Sequence, residues 1–194
     1  MTYPPNDQAY ELQPRPLLPP DHEASQRATR LRQLGLGQAR ESEFDEFAHQ
    51  VALDAQKLIG LPSTPVAFVN LVGDDQFVAG VYTPPAAAEI VGGILGARIP
   101  LNAGYCPHVV VRRKALILDD VLAYPRFAGN PIVDKLMVRS YAGAPLTDRT
   151  GTVLGTVCVV DSEPRPWGKP GLELMKRRAA DLVDRIHRRE GLPG

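Results

Sequence analysis

The chain is poor in the features that commit a protein to a special environment. Only two cysteines, Cys106 and Cys158, occur in 194 residues. That is too few for a disulfide scaffold and suits a reducing compartment. Charge of one sign is not in excess: 22 Lys and Arg balance 22 Asp and Glu, and the isoelectric point lies near 6.9. No global field therefore draws the chain to nucleic acid or to an anionic membrane. Apolar runs stop well short of the ~20 residues that span a bilayer, and the N-terminus has no apolar leader core, so a cytoplasmic location is expected. P-loop, G-x-G-x-x-G, nucleophile-elbow and H-E-x-x-H patterns are all missing, as is any internal repeat. What remains is 44% hydrophobic residues, enough for the core of one ordinary domain.

Residues 1–22 are rich in proline and short of apolar anchors, which predicts a disordered or polyproline arm. Apolar residues at three- and four-residue spacing (Ala24, Ala28, Leu31) then predict a helix over 23–36, closed by Gly35 and Gly37. Ser42 followed by Asp45 reads as a capping box. It opens a second helix whose stripe is Phe44, Phe47, Val51, Ala55 and Leu58, ended by Gly60 and Pro62. Pro65–Val72 and Gln76–Tyr82, joined by Gly-Asp-Asp, read as a hairpin, with Asn70 the one polar exception in its first strand. A long glycine-rich connection over 83–104 leads to Tyr105-Cys106-Pro107-His108, where proline marks a helix start with Cys106 as its cap.

Ala115–Asp119 is expected as a strand, and a short helical or coiled cover over 127–136 follows. The hairpin 140–161 has β-branched residues on both parities, the mark of strands covered on both faces. Its first strand is expected to close at Pro145. Gly155 implies close approach by another backbone, and Asp148 and Gly151 supply turn chemistry. The last helix, about 171–190, carries a seam of Leu172, Met175, Ala179, Leu182 and Ile186, at home on the sheet or against a second helix. Its outer face is basic, which complements a helix C-terminus; without a recognition motif, nucleic acid binding is not expected. The order of elements implies an α+β fold with an antiparallel sheet and helices on its faces.

The segments FDEFAHQVALDAQKLIGLPSTPVAFVNLV, CPHVV, ALILDD, PRFAGNPIV and YAGAPLTDRTGTVLGTVCVVD resemble a GAF domain, the sensor module related to PAS. The resemblance covers roughly residues 44–186, and the YAGAPL…GTVCVVD hairpin is its most specific part. It implies an antiparallel sheet of about six strands, with the N- and C-terminal helices on one face and pocket-covering loops and short helices on the other. The single domain would run over 23–190, with a short tail at 191–194. It also implies an unidentified small-molecule ligand, a homodimer built through the terminal helices, and signalling through that dimer or a protein partner. The run Gly104-Tyr105-Cys106-Pro107 and the residue Tyr124 depart from the usual family pattern at the pocket rim, so no ligand identity is carried over.

Candidate ligand-binding residues are Tyr105, Cys106, His108, Phe127, Asn130 and Tyr141. Cys106 is also the redox candidate: a thiol at a helix start meets backbone N–H donors, and a protonated His108 folding back would add positive charge. The simpler reading, a small buried side chain capping a helix, is the one the sequence favours. For Phe127 and Asn130, core packing and a turn before Pro131 stand as equal alternatives. Bilin-binding relatives attach chromophore through a cysteine, but their motif is not present, so no bilin is expected; nor is haem. Cys106 and His108 lack a third ligand nearby, so no metal is expected either. The sequence leaves a small-molecule or redox sensor foremost. A thiol enzyme of the free-methionine-sulfoxide-reductase type and a purely structural interaction domain are the alternatives. Cys158, inside a doubly covered strand, reads as core, which makes a resolving cysteine pair doubtful.

Overall fold

The computed structural model describes residues 18, 20–88, 91 and 98–190. Most of the proline-rich arm, the 191–194 tail and much of the glycine-rich connection lie outside the described residues. In chain order the elements are α1 (Ala24–Gln33), α2 (Ser42–Ile59), β1 (Val66–Val72), β2 (Gln76–Tyr82) and β3 (Arg98–Ile99). Then come α3 (Cys106–Arg112), β4 (Leu116–Leu118), α4 (Pro125–Ala128), α5 (Pro131–Leu136), β5 (Ser140–Thr147), β6 (Val153–Asp161) and α6 (Gly168–Glu190).

All six strands form one antiparallel sheet in the order β3-β2-β1-β6-β5-β4. The β5–β6 hairpin is thus flanked on both sides, as its two-sided apolar pattern requires. Alternation sends Ala67, Val69, Leu71, Ala142, Ala144, Val157 and Val159 to one face, where α2 and α6 close a core with Phe44, Phe47, Met175 and Leu182. Phe68, Tyr141 and Cys158 point the other way, into a second core with Tyr105, Val109, Leu118 and Phe127. Gly155 sits where the sheet is tightest: a Cβ there would lie 2.1 Å from the Asn70 carbonyl oxygen and 2.8 Å from Leu71 Cα.

Several local expectations are corrected. Ser42 does not cap α2; Glu41 occupies that position without a side-chain bond, and Asp45 instead accepts from the Val81 N–H at 2.8 Å. That bond ties α2 to the sheet, a tertiary contact that outcompetes the local cap. β5 runs past Pro145 to Thr147, because a register shift between those two residues accommodates the missing N–H. The connection after β2 holds a two-residue strand, β3, paired to Gln76 and Phe77. It is too short to leave a periodic trace.

Candidate functional site

The site lies on the face of the sheet away from α2 and α6, beneath α3 and the α4–α5 cover. Tyr105 takes the cap position of α3 and Cys106 is its first helical residue, so the helix starts one residue earlier than proline punctuation alone suggests. Just before it, Gly104 (φ 87°) is clamped to the cover. Its N–H donates to Asn130 Oδ1 at 2.8 Å, and Asn130 Nδ2 donates back to its carbonyl at 2.8 Å. The same Oδ1 accepts from the Ile132 N–H at 3.1 Å and so caps α5.

This clamp sets Cys106 over the middle of the sheet, beside Cys158, which is a core residue as the sequence suggested but is also within reach of the first thiol. Cys106 Sγ lies 3.7 Å from Cys158 Sγ, in β6. Both thiols are free and buried. The Tyr141 hydroxyl, 3.6 Å away, donates to Cys106 Sγ. The two thiols titrate as a unit. The first proton leaves Cys106, whose pKa is pulled below the ordinary thiol value chiefly by the hydrogen bond from Cys158. Burial opposes that shift, while Thr156, Asn70 and Tyr141 assist it. Cys158 is driven the opposite way by its bond to Cys106 and by burial. Tyr141 remains protonated, held high by burial and by the negative charge forming beside it. Of the two thiols, Cys106 is thus the one favoured to ionise, with Cys158 and Tyr141 as hydrogen-bond donors to it.

Beside the sulfurs is a cavity lined by Phe68, Asn70, Gln76, Tyr105, Ile132 and Val138, among others. It has about 40 Å³ of room for the centres of water-sized molecules, more than the ~10–15 Å³ that one such molecule requires. Asn70 Nδ2 donates to Gln76 Oε1 at 2.9 Å. Gln76 Nε2 is taken up by the carbonyls of Pro100 (2.7 Å) and Ala103 (2.6 Å). Asn70 Oδ1 is left buried with no partner. An unmet buried acceptor costs about 1–3 kcal/mol.

Of the six candidate residues, Tyr105, Cys106 and Tyr141 line the cavity. His108, Phe127 and Asn130 stand behind it and shape its wall. Phe127 takes the His108 ring edge-on at 5.1 Å and the Tyr105 ring at 5.7 Å. His108 does not charge Cys106: burial first, then Arg126 and Arg112, push its pKa down to about 4, so it is neutral. Burial raises the Tyr105 phenol to about 12. Asn70, Gln76, Cys158 and Gly143 were not singled out from sequence as site residues. The signal for Asn70 was its polarity within an apolar strand; for Gly143, a glycine opposite Cys158 in the pairing of β5 with β6. Among the described residues, no group of three His, Cys, Asp or Glu side chains is placed to hold a metal ion.

The α6 seam is used within the chain. Met175 and Leu182 are fully buried and Ile186 nearly so, all against the sheet and α2. The seam therefore lends no support to a dimer. No helix among the described residues is long and apolar enough to cross a membrane.

The family model described as GAF domain matches residues 43–185. A cyclic di-GMP phosphodiesterase from Pseudomonas aeruginosa is 28% identical over 172 residues, which is 87% of this chain and 26% of that protein. The chain thus spans about a quarter of that relative's length. Among solved structures, the GAF domain of an Acinetobacter phosphoenolpyruvate-protein phosphotransferase matches with TM-score 0.56 and 18% identity, covering 89% of this chain and 98% of that one. A free methionine-R-sulfoxide reductase from Neisseria meningitidis, solved with its substrate, matches with TM-score 0.53 and 19% identity over 73% of this chain and 78% of that one. At these identities the structural likenesses establish the fold.

Proposed function

The chain belongs to the GAF domain family, and on that footing we propose that it is a cytoplasmic sensor or regulatory module whose input site is the cavity beside Cys106. The single observation that carries this reading is the unpartnered Asn70 Oδ1 in that cavity. Several buried polar side-chain atoms lack a partner among the described residues, and Asn70 is the one of those residues that lines this cavity, where a small polar ligand would supply the donor. Output then runs through contacts of the outer helices, in a homodimer or with a protein partner.

A physical route supports that output. Arg113, the left-handed residue that ends α3 (φ 55°), donates to Glu23 Oε1 and Oε2 at 2.5 and 2.7 Å and to the Gly151 carbonyl at 2.7 Å. One end of α3 thus forms the pocket wall while the other holds the start of α1 and the β5–β6 turn. A shift at Cys106 reaches the terminal helix through one short rigid element.

Native mass spectrometry of the freshly purified chain tests this. The expected result is a small molecule retained without a covalent bond, released on unfolding and lost in Asn70→Leu. Protein that emerges bare, and gains no thermal stability from a panel of small polar metabolites, overturns the reading.

The second reading, a thiol enzyme of the free-methionine-sulfoxide-reductase type, is favoured by one observation, the lowered Cys106 thiol beside a second cysteine. Against it stands the lining of the cavity, which includes no Lys, Arg, Asp or Glu to hold the carboxylate and ammonium groups of an amino-acid sulfoxide. Cys106→Ser separates the two: an enzyme loses methionine-sulfoxide turnover, whereas a binding module keeps its ligand.

A further inference from the structure

We infer that Cys106 and Cys158 form a reversible dithiol–disulfide couple oxidised by hydrogen peroxide, with Cys106 the attacking sulfur and Cys158 the resolving one. The consequence for signalling rests on the sensor reading above; the chemistry does not.

Four observations meet at this point. The sulfurs are 3.7 Å apart, and a disulfide needs about 2.05 Å, so closure asks for a relative movement of only ~1.7 Å. The two residues sit on different kinds of support. Cys158 is in the middle of the sheet, between β1 and β5, and cannot move. Cys106 begins a short helix after a loop and is not held in the strand ladder. The Tyr141 hydroxyl reaches this pair across Gly143, where a Cβ would lie 2.3 Å from that hydroxyl and 2.9 Å from Cys158 Cβ. A glycine that makes room for a phenol to reach a thiol is a construction that simple core packing does not need. Finally, the adjoining cavity has room beside both sulfurs for a molecule as small as hydrogen peroxide.

The Cys106 thiolate attacks one peroxide oxygen. An S–O bond forms, the O–O bond breaks, and the leaving hydroxide takes the proton Cys106 had released, departing as water. The Cys158 sulfur then attacks the Cys106 sulfur. The S–S bond forms, the S–O bond breaks, and the second hydroxide takes the Cys158 proton. Two thiols and one hydrogen peroxide give one disulfide and two waters. An external dithiol restores both hydrogens. The disulfide draws the first turn of α3 toward β6, and Arg113 carries that movement to Glu23 and Gly151.

The test is oxidation of the reduced 194-residue chain with hydrogen peroxide, followed by intact mass and peptide mapping. The expected product is two hydrogens lighter, with the Cys106 and Cys158 peptides linked within one chain, and dithiothreitol reverses it. Cys158→Ala, checked for folding by circular dichroism, is expected to stop at a sulfenic acid on Cys106 that dimedone traps. Should the variant not fold, the wild-type peptide map decides alone. A wild-type chain that gains oxygen on Cys106 without the internal link, links only between chains, or does not react at peroxide levels that oxidise free cysteine overturns the inference. Retention of a small molecule by Cys106→Ser is measured separately, so failure of the couple and failure of the sensor reading give different results.

Discussion

The phenol of Tyr141 occupies the space that a side chain at Gly143 would fill, and this is how it reaches the thiol pair. Gly143→Ala would place a methyl 2.3 Å from the Tyr141 hydroxyl and 2.9 Å from Cys158 Cβ, the second of which is held by the sheet. The ring must therefore leave. We expect a loss of about 1–3 kcal/mol in urea unfolding, the usual range for overpacking, together with slower alkylation of Cys106.

Tyr141→Phe keeps the ring and removes only the donor. The hydroxyl helps to hold Cys106 below the ordinary thiol range, so its removal should move the pH profile of Cys106 alkylation upward. A hydrogen bond of this kind is worth about 0.5–1.5 kcal/mol, or roughly two- to tenfold in rate at neutral pH. An unmoved profile would show that the phenol is packing alone.

His108 makes stability depend on pH. Its folded pKa, about 4, lies below the ordinary histidine value of 6.5, chiefly because it is buried. Between those values the unfolded chain binds a proton that the folded chain does not. Stability is thus complete above about pH 6.5 and falls as the solution is acidified toward pH 4. His108→Leu should flatten that part of a melting-temperature series. An unchanged slope in the variant would assign the pH dependence to other groups.

Gly155→Ala is expected to be the harshest of the glycine changes. Its methyl would meet backbone, Asn70 O at 2.1 Å and Leu71 Cα at 2.8 Å, and neither atom can rotate away. β1 must separate from β6. A loss of at least about 3 kcal/mol, the upper end of overpacking, or a chain that does not accumulate in soluble form, is the outcome to look for.

Arg113→Ala separates transmission from stability. Arg113 and Glu23 are about two-fifths exposed, so the ion pair contributes no more than about 1 kcal/mol. Unfolding should change little, yet hydrogen exchange in α1 should stop responding to oxidation of the cysteines. If α1 still responds, the signal leaves by another path.

The architecture was legible because hydrophobic periodicity records burial directly. The two-sided apolar runs of β1 and β6, the 3.6-residue stripe of α2 and the seam of α6 each named the face they now bury. Punctuation was legible as well. Asp148 accepts from the N–H groups of Thr150 and Thr152 at 2.9 and 3.1 Å, and Gly151 takes φ 80°, as that turn requires. The capping box at Ser42 failed because Asp45 found a stronger partner on β2. β3 was missed because two residues hold no period.

By itself the sequence determined the longer strands and helices, which faces they bury, and that a thiol would stand at the start of a short helix, since each of these follows from local propensity and spacing. Only the tertiary structure decided what that thiol meets. Cys106 and Cys158 lie 52 positions apart, and nothing in the chain between them encodes a distance. Their approach depends on the Gly104–Asn130 clamp, on the register that sets Gly143 opposite Cys158, and on the missing side chain that admits Tyr141. The same packing left His108 neutral and Asn70 Oδ1 unpaired, because burial and partnership belong to the assembled interior and not to any one segment.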